Sequence, residues 1–433
     1  MFCFIPKDKH PTGFIIFGMM KIGAKLIVLT TFYMFAPVRG KSQVTCKEDI
    51  LLRQPRYSSI LQQKERELYD FAKAHPFTKT NVVITIPMVI HIVWNTPSQN
   101  ISTAQVLSQV NILNKDFRRL NADTINTPVP FKPIAADAQI QFCLAQRDPA
   151  GNPTTGITRT QTSVFSFSPL LGDTSIYYTS TGGEDAWDTS AYMNIWVCNN
   201  GGGMATWPGI TNFFPGLQDG VIMDPLAFGD IGTVVYPTNK GRLCDHEVGH
   251  YFFLLHPWGY DTIYCSPDSV ADTPPQKLPT LGCPSFPVLD SCSPNFPGIT
   301  YNVYMDYTDD SCMNMFTIGQ AARMNWCIQT FRSTLLSSLA CVPPAGYGSY
   351  MKGIHFTVSP NPSSGYFYCY IELPSEQNCC LEIIDLLGNK IEEQNFYMKS
   401  GSVPIDLGTV EKGIYFLKLS SHGAISAKKI LVR

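Results

Sequence analysis

Residues 244–259 of this 433-residue chain read CDHEVGHYFFLLHPWG, and the rest of the sequence is organised around them. His246 and His250 lie four positions apart, so on an α-helix, at about 100° per residue, both imidazoles project from one face. Two neutral imidazoles at this spacing can share one metal ion. A glutamate directly after the first histidine, here Glu247, can reach a water bound to that metal.

His256 is the third histidine of this stretch. If the helix continued, His256 would lie on the wrong side and about 9 Å further along the axis. It can complete the site only if the chain turns back after Phe252. Three neutral histidine ligands leave a fourth zinc position for water, which is the pattern of a catalytic rather than a structural site.

A second motif lies downstream, where residues 301–317 read YNVYMDYTDDSCMNMFT. The HExxH pattern alone is short, and paired histidines on a helix are often surface or core groups. A third histidine, followed by a segment that looks like a metzincin Met-turn, indicates a zinc peptidase.

Together the two motifs are similar to those of the pappalysin, or cytophagalysin, branch of the metzincin metallopeptidases. Four upstream segments extend the resemblance over roughly residues 80–335, namely Ile86–Trp94, Ile101–Asp116, Ile140–Leu144 and Tyr192–Cys198. The resemblance implies an α+β catalytic domain with a twisted mixed β-sheet, an active-site helix and a Met-turn. It also implies one catalytic Zn2+ and protein or peptide substrates.

The same resemblance implies roles for individual residues. The three histidines would hold the zinc, which acidifies a water, and Glu247 would take the proton as general base. Met305 would form the hydrophobic base under the metal without ligating it. Tyr307 would stabilise the tetrahedral oxyanion or swing off the metal when substrate arrives. These roles describe a zinc metalloendopeptidase.

One position departs from the family pattern. The family has glycine or asparagine three residues after the second histidine, where the chain turns, and this sequence has Phe253. A bulky residue with positive φ is an outlier. Either Phe253 carries strain of order 1–3 kcal/mol, or the turn is built differently. If Phe253 spoils the turn, the alternative is a secreted adhesion or binding protein whose zinc site is structural or inactive.

The composition favours a secreted protein. A net charge of −2 and 15% charged residues give no reason to expect nucleic acid or an anionic membrane surface as a partner. Fourteen cysteines and 32 prolines fit a disulfide-bearing secreted protein better than a cytosolic one.

Residues 1–43 are predicted to be a signal peptide, with translation starting at Met19 or Met20. A basic stretch precedes the apolar run Leu26–Val38, which contains no acid. This run is too short for a convincing membrane span, so no stable span is expected in the mature protein. A non-cleaved anchor is the alternative.

Residues 44–79 are polar and helix-prone, most clearly over Ile60–Ala74, and they resemble the family's propeptide. Cys46 lies where such propeptides carry a cysteine, whose thiolate could occupy the fourth zinc position and displace the water. This latency switch is one hypothesis for Cys46. A free or disulfide-bonded terminal cysteine is the other.

The catalytic domain is assigned to residues 80–341. It begins with a buried β-rich run over residues 81–94, in which His91 is interpreted as a core or edge histidine rather than a ligand. Residues 199–205 are glycine-rich and follow a predicted strand. In the resembling family this region is the strand above the cleft, whose edge pairs with an extended substrate.

Two helices and one long loop are predicted within this domain. Ser102 is a good N-cap for a helix over residues 103–120. A second helix is predicted over residues 318–339, behind the Met-turn. Residues 161–185, rich in serine, threonine and glycine, read as a loop.

Four cysteines lie between the zinc motif and the end of the Met-turn, and four cysteines allow three pairings. The resemblance favours the pairs Cys265–Cys292 and Cys283–Cys312. The sequence leaves five other cysteines unassigned: Cys143, Cys198, Cys244, Cys327 and Cys341.

A calcium site is a further candidate. Asp268, Asp272 and Thr273 offer hard oxygen ligands of the kind that Ca2+ takes, and family members bind calcium in this region. A merely solvated acidic loop is the alternative.

The C-terminal part forms a separate module. Residues 342–354 are predicted to be a linker, and residues 355–433 a small all-β sandwich. Its segments PNPSSG, IDLLGNK, KGIYF and KKILVR look like the C-terminal sorting domain of type IX secretion cargo. This implies the type IX secretion machinery as a partner, with export through the periplasm to the cell surface or medium. An adhesive immunoglobulin-like domain is the alternative.

Overall fold

A computed structural model of the protein describes residues 45–46, 55–77, 82–168, 172–212, 214–259, 265–344, 355–385, 389–421 and 424–433. The predicted signal peptide and most of the predicted linker lie outside these residues. Among the helices that are described, none is long and apolar enough to cross a membrane.

The elements up to residue 331 are, in chain order, β1 (Thr45–Cys46), α1 (Pro55–Ala74), β2 (Ile84–Trp94), α2 (Thr103–Asp116), β3 (Ala135–Ala136), β4 (Ile140–Leu144), β5 (Ile157–Gln161), β6 (Met193–Val197), β7 (Gly202–Ala205), β8 (Val221–Met223), α3 (Arg242–Tyr251), β9 (Phe316–Thr317) and α4 (Ile318–Phe331).

Strand β2 is the centre of a seven-stranded mixed sheet in the order β1-β7-β8-β6-β2-β4, with β5 also paired to β2. It runs parallel to β4 and β5 along one edge and to β6 along the other. Parallel strands are buried on both faces, which explains why β2 is an apolar run rather than an alternating one. Strand β7 is antiparallel to β8 and lies near the edge of this sheet.

His91 is a buried polar residue of β2. Its Nε2 donates to Asn194 Oδ1 at 3.0 Å, and its Nδ1 lies 2.8 Å from the Thr158 hydroxyl. Burial lowers the pKa of His91 to about 4, so the ring is neutral at physiological pH. The interpretation of His91 as a satisfied core histidine is confirmed.

Helix α2 packs against this sheet. The Ser102 hydroxyl accepts a hydrogen bond from Gln105 N, as predicted for an N-cap. Val106, Leu113 and Phe117 are buried in the core. The prediction that the helix runs to residue 120 was wrong, because the helix ends at Asp116 and Arg119 has a left-handed conformation, with φ 50°.

Helix α4 is also shorter than the predicted span 318–339. It ends at Phe331, and a 3₁₀ turn follows at Ser333–Ser337. Arg332 leaves the helical conformation, with φ −131°, and its Nε donates to the carbonyl of Tyr251 at 2.9 Å. The contact joins the end of α4 to the end of α3.

The predicted loop 161–185 is loop over most of its described residues. It contains two 3₁₀ turns, Ser175–Tyr177 and Thr179–Thr181. The preceding strand β5 was missed in the sequence, because its residues Ile157–Gln161 are not strongly apolar and three of them are only half-buried.

The C-terminal elements are five antiparallel strands: β10 (His355–Ser359), β11 (Tyr366–Ile384), β12 (Lys390–Asp406), β13 (Gly413–Ser421) and β14 (Ala424–Val432). Strand β11 pairs with β12 along both halves. Its first half also pairs with β10 and its second half with β13, and the register shifts between Glu372 and Gln377. One strand therefore contributes to both layers of the predicted all-β sandwich, bending at an irregularity as such strands do.

Candidate metal centre

Helix α3 is buried along its whole length. The chain enters it through Gly241, whose φ is 75°. The Asp310 carboxylate accepts hydrogen bonds from the backbone N–H groups of Lys240, at 2.8 Å, and Arg242, at 3.1 Å. A carboxylate at this position satisfies N–H groups of the first turn that have no intrahelical partner.

The helix ends in the reversal that His256 requires. Phe253 N donates to the carbonyl of His250 at 2.8 Å, and Leu254 N donates to the carbonyl of Gly249 at 2.9 Å. Phe253 has φ 68°. These are the two hydrogen bonds of a Schellman motif, with phenylalanine at the left-handed position that usually holds glycine. Of the two possibilities for Phe253, the structure has the strained left-handed turn.

The reversal brings three imidazole rings to one point. His246 Nε2 lies 3.0 Å from His250 Nε2 and 3.1 Å from His256 Nε2, and His250 Nε2 lies 3.0 Å from His256 Nε2. All three side chains are buried. Within the described part of the chain, these residues are the one group of three or more histidine, cysteine or acidic side chains close enough to hold a metal ion.

The hydrogen bonds of the outer ring nitrogens fit a metal. His246 Nδ1 lies 2.7 Å from the carbonyl of Tyr304, and His250 Nδ1 lies 2.8 Å from the carbonyl of Leu254. A carbonyl only accepts, so each Nδ1 carries the proton and each Nε2 presents a lone pair. Burial, followed by the neighbouring imidazoles, lowers the pKa of His246 well below its ordinary value. Neutral rings with lone pairs facing one another at 3 Å suit a cation at about 2.0–2.1 Å from each nitrogen.

Met305 packs closely against helix α3 at Gly249. It is fully buried, and a Cβ atom added at Gly249, between the first two histidines, would overlap its sulfur. The glycine inside HEVGH is thus required by the close approach of the methionine. Tyr304, next to Met305, supplies the carbonyl that orients His246.

Tyr307 borders two of the three imidazole rings. Its ring centroid lies 5.0 Å from that of His256 and 5.6 Å from that of His246. Trp258 stacks on His256 with centroids 4.4 Å apart and planes 13° from parallel. Sequence reasoning missed Trp258, although it lies two residues after a predicted ligand.

Glu247 is buried against strand β7. A Cβ atom added at Gly203 would overlap the carboxyl group of Glu247. The glycines predicted to permit close backbone approach therefore make room for the residue predicted to be the general base.

Comparisons with known proteins agree with this geometry. The sequence profile of a family described as Pregnancy-associated plasma protein-A matches residues 177–329. Mature mirolysin of Tannerella forsythia, solved in complex with a cleaved peptide, is 46% identical and has a TM-score of 0.57, covering 59% of this chain and 97% of its own. The chain belongs to the pappalysin family of metzincin metallopeptidases. Membership of this family implies zinc.

Other relatives cover different parts of this pappalysin. Promirolysin of Tannerella forsythia is 41% identical with a TM-score of 0.63, over 69% of this chain and 99% of its own. An extracellular metalloprotease of Arthroderma otae is 44% identical over 22% of this chain, and one of Coccidioides posadasii 40% over 29%. The chain spans 34% and 42% of these two curated relatives. A second profile, described as Secretion system C-terminal sorting domain, matches residues 357–433.

A buried charged cluster supports helix α3 of this pappalysin, and sequence reasoning missed it. Arg242 lies 3.1 Å from Asp116 and 2.7 Å from Asp123, and it donates to the carbonyl of Asp310 at 2.8 Å. Burial and the nearby Asp116 carboxylate raise the pKa of Asp245 well above its ordinary value. No single residue of the cluster signals it, because partners such as Arg242 and Asp116 are 126 positions apart in the sequence.

Disulfide bonds join distant parts of the pappalysin domain. Both predicted pairs are present, with Cα atoms 5.6 Å apart for Cys265–Cys292 and 5.8 Å for Cys283–Cys312. The structure also pairs two cysteines that the sequence left unassigned, Cys143 and Cys341, across 198 positions. Cys198, Cys244 and Cys327 are buried.

Of the candidate calcium residues, Asp268 and Thr273 contact each other, whereas the Asp272 carboxylate bonds to other residues. Both carboxylate oxygens of Asp268 accept hydrogen bonds from the Thr273 hydroxyl, at 2.7 and 2.8 Å. Asp272 instead accepts from the Thr317 hydroxyl and from Gly319 N at the start of α4. Burial raises the pKa of Asp268 to about 7.

Cys46 lies in strand β1, whose backbone pairs with β7 in parallel. Cys46 is opposite Gly203, the glycine that contacts Glu247. The predicted latency residue is therefore in the segment that runs beside the candidate site, and its side chain lies outside the described atoms.

The exposure of Phe253 decides the expected effect of replacing it. The ring is 1% exposed and stacks on Trp207 with centroids 6.4 Å apart. Phe253→Gly removes about 1–2 kcal/mol of left-handed strain, but deleting a buried phenylalanine costs about 3–5 kcal/mol. We expect a lower melting temperature, with a net loss of about 1–4 kcal/mol.

The metal content should stay near one zinc per chain in Phe253→Gly and Phe253→Asn, because the backbone turn and not the ring places His256. Elemental analysis measures the zinc content, and thermal unfolding measures the change in melting temperature. Zinc loss on either substitution would contradict this account and assign the positioning of His256 to the aromatic side chain.

Proposed function

We propose that this protein is a secreted zinc endopeptidase that cuts protein or peptide substrates. The observation that carries the proposal is the convergence of the His246, His250 and His256 Nε2 atoms within 3.0–3.1 Å of one another, with Glu247 on the same helix. The adhesion alternative required a spoiled turn. Phe253 instead adopts the turn, with φ 68°, so no observation favours that alternative.

The three histidines would hold the zinc in this proposal, and hydrogen bonds from the outer nitrogens of His246 and His250 keep these two rings in the ligating tautomer. When bound, zinc polarises the scissile carbonyl and acidifies a water. Glu247 accepts the proton of that water and later delivers it to the leaving amine nitrogen. Tyr307, whose ring borders two of the imidazoles, donates its hydroxyl proton in a hydrogen bond to the carbonyl oxygen as negative charge develops.

Residues 44–79 are proposed to be a propeptide. The promirolysin match covers 69% of this chain and the mature mirolysin match 59%, which supports an N-terminal segment that belongs to the proenzyme. Strand β1 occupies the outer edge of β7, where an extended substrate would add as a strand. We propose that Cys46, opposite Gly203, places its thiolate on the zinc in the proenzyme.

Residues 342–354 are proposed to link the catalytic domain, residues 80–341, to a sorting module that sends the protein through the periplasm to the type IX machinery. The profile match over residues 357–433 supports this assignment.

Calcium binding by Asp268, Asp272 and Thr273 stays a prediction. A rise in melting temperature on adding calcium, lost in Asp268→Asn, checks it.

Glu247→Ala should abolish peptide hydrolysis while zinc remains near one per chain, because a proton carrier worth about 10² to 10⁴-fold is removed. Turnover of a quenched fluorescent peptide measures hydrolysis, and elemental analysis measures the zinc content. Asp230→Ala removes an exposed carboxylate of the same domain and should leave turnover unchanged. Hydrolysis by pure Glu247→Ala protein would refute the mechanism.

Cys46→Ala in the uncleaved proenzyme should raise peptidase activity before any cut at the propeptide boundary. The physical reason is that the fourth zinc position becomes open to water. Activity is compared on samples whose mass confirms the intact chain. Equal activity of the two uncleaved proteins would leave steric cover or another ligand as the source of latency.

Deleting residues 352–433 should leave an active enzyme in the periplasm, since no proposed zinc ligand lies in that module. Peptidase activity is assayed in periplasmic, surface and medium fractions of cells that make the full or truncated chain. Appearance of the truncated enzyme at the surface or in the medium would show that the sorting assignment is wrong.

A further inference from the structure

Helix α1 is amphipathic and packs on the outside of the catalytic domain. Ile60, Leu61 and Leu68 are only 5%, 3% and 2% exposed. They belong to the same apolar cluster as Trp207 and Phe253. The aromatic ring at the unusual turn position is therefore part of the surface that receives this helix.

An ion pair ties the middle of α1 to the same place. Both oxygens of the Glu65 carboxylate accept hydrogen bonds from the two terminal nitrogens of Arg323. The third guanidinium nitrogen, Nε, donates to the carbonyl of Phe253 at 2.7 Å, and the guanidinium lies 4.8 Å from the centroid of the Phe253 ring. Arg323 is 4% exposed. One arginine thus contacts both α1 and the turn that places His256.

Further contacts extend along the helix. Lys64 Nζ lies 4.9 Å from the centroid of the Phe331 ring. Past the C-terminal end of α1, Trp326 Nε1 donates to the carbonyl of His75 at 3.0 Å, and the Phe77 ring meets Trp326 edge-on at 6.2 Å. A cavity of about 540 Å³ remains beside the helix, bordered by Tyr69 and Val270 among others. Apolar packing is incomplete there, so the bidentate ion pair carries a large share of the specificity.

We propose that the surface formed by Phe253, Arg323, Trp326 and Phe331 is a binding site for an amphipathic helix that presents a carboxylate to Arg323, and that its partner after maturation is the released propeptide. A cut between Phe77 and Val82 does not by itself free the enzyme. Helix α1 stays bound without a covalent link and keeps β1 against β7. Full activation then requires dissociation or digestion of the fragment as a second step.

This inference rests on the proposed zymogen. Its binding site differs from that of the hypothesis in which the Cys46 thiolate occupies the zinc. The Arg323 site lies on α4 and on the turn after α3, whereas Cys46 lies beside Gly203. Arg323 is 4% exposed with α1 in place, so departure of the helix breaks the bond to Glu65 and exposes the apolar cluster that Ile60, Leu61 and Leu68 help to form. The mature enzyme therefore favours recapture of the fragment over leaving the site open.

The test uses the full chain carrying Glu247→Ala, so that no self-digestion occurs, with a recognition sequence for a specific protease inserted between Phe77 and Val82. After the cut, size-exclusion chromatography measures the fraction of fragment that stays bound, and dilution measures its rate of release. The fragment should co-elute with the enzyme. Glu65→Lys should speed release by about 100-fold or more, since it places two cations together in a buried site.

The matched control is Asp70→Lys, which makes the same charge reversal at an exposed position of α1 and should change release by less than about twofold. The double variant Glu65→Lys with Arg323→Glu should recover most of the loss, and neutral Glu65→Gln should give an intermediate rate. The inference is overturned if the unmodified fragment separates at once, if Asp70→Lys acts like Glu65→Lys, or if Cys46→Ala alone abolishes retention. Because only binding is measured, a failure of the peptidase proposal would appear in the activity assays and not here.

Discussion

The reversal of the chain after α3 is the constraint on which the site depends. A helix can present only His246 and His250 to one point, and the third imidazole must come from a chain that has turned back. Two backbone hydrogen bonds and one residue at φ 68° make that turn. The left-handed conformation disfavours phenylalanine by about 1–2 kcal/mol, and burial of its ring among Trp207, Phe331 and α1 offsets the strain. Phe253 keeps a positive φ, which phenylalanine normally avoids, because the packing of its ring is strong enough to hold it there.

Around this turn, the supporting atoms are mostly backbone carbonyls and small residues. Carbonyls of Tyr304 and Leu254 set the tautomers of two rings, and Gly249 and Gly203 give room for Met305 and Glu247. Such contacts orient the reactive groups without adding charge close to the metal position. The charged residues that anchor the helix, Arg242 with its aspartates, lie at its N-terminal end instead.

The sequence was most informative where the decisive residues are close together in the chain. Residues 246–256 predicted the three ligands, the direction of the turn and the problem at Phe253, because helical spacing and φ preferences are local. Resemblance to a family added the Met-turn and two disulfides.

Long-range features were beyond such reasoning. The bond between Cys143 and Cys341 joins positions 198 apart, and Arg242 meets Asp116 across 126 positions. The end of α2 depended on the left-handed Arg119, a conformation that its sequence does not signal. Likewise, the sequence did not predict that β11 is one long strand that pairs with β10 along its first half and with β13 along its second half.

The Cys143–Cys341 bond also determines how tension enters the catalytic domain. Cys341 is the last residue before the proposed linker, residues 342–354, and its bond leads directly to strand β4 in the central sheet. A pull on the C-terminal module therefore reaches the sheet through a covalent bond, and the chain from β4 to α4 lies outside the loaded path. Helix α3, with the proposed zinc ligands, and residues 301–317 both belong to that unloaded stretch. When force is applied to the C-terminal module, β4 bears it, and the arrangement of the three histidines is not strained by it.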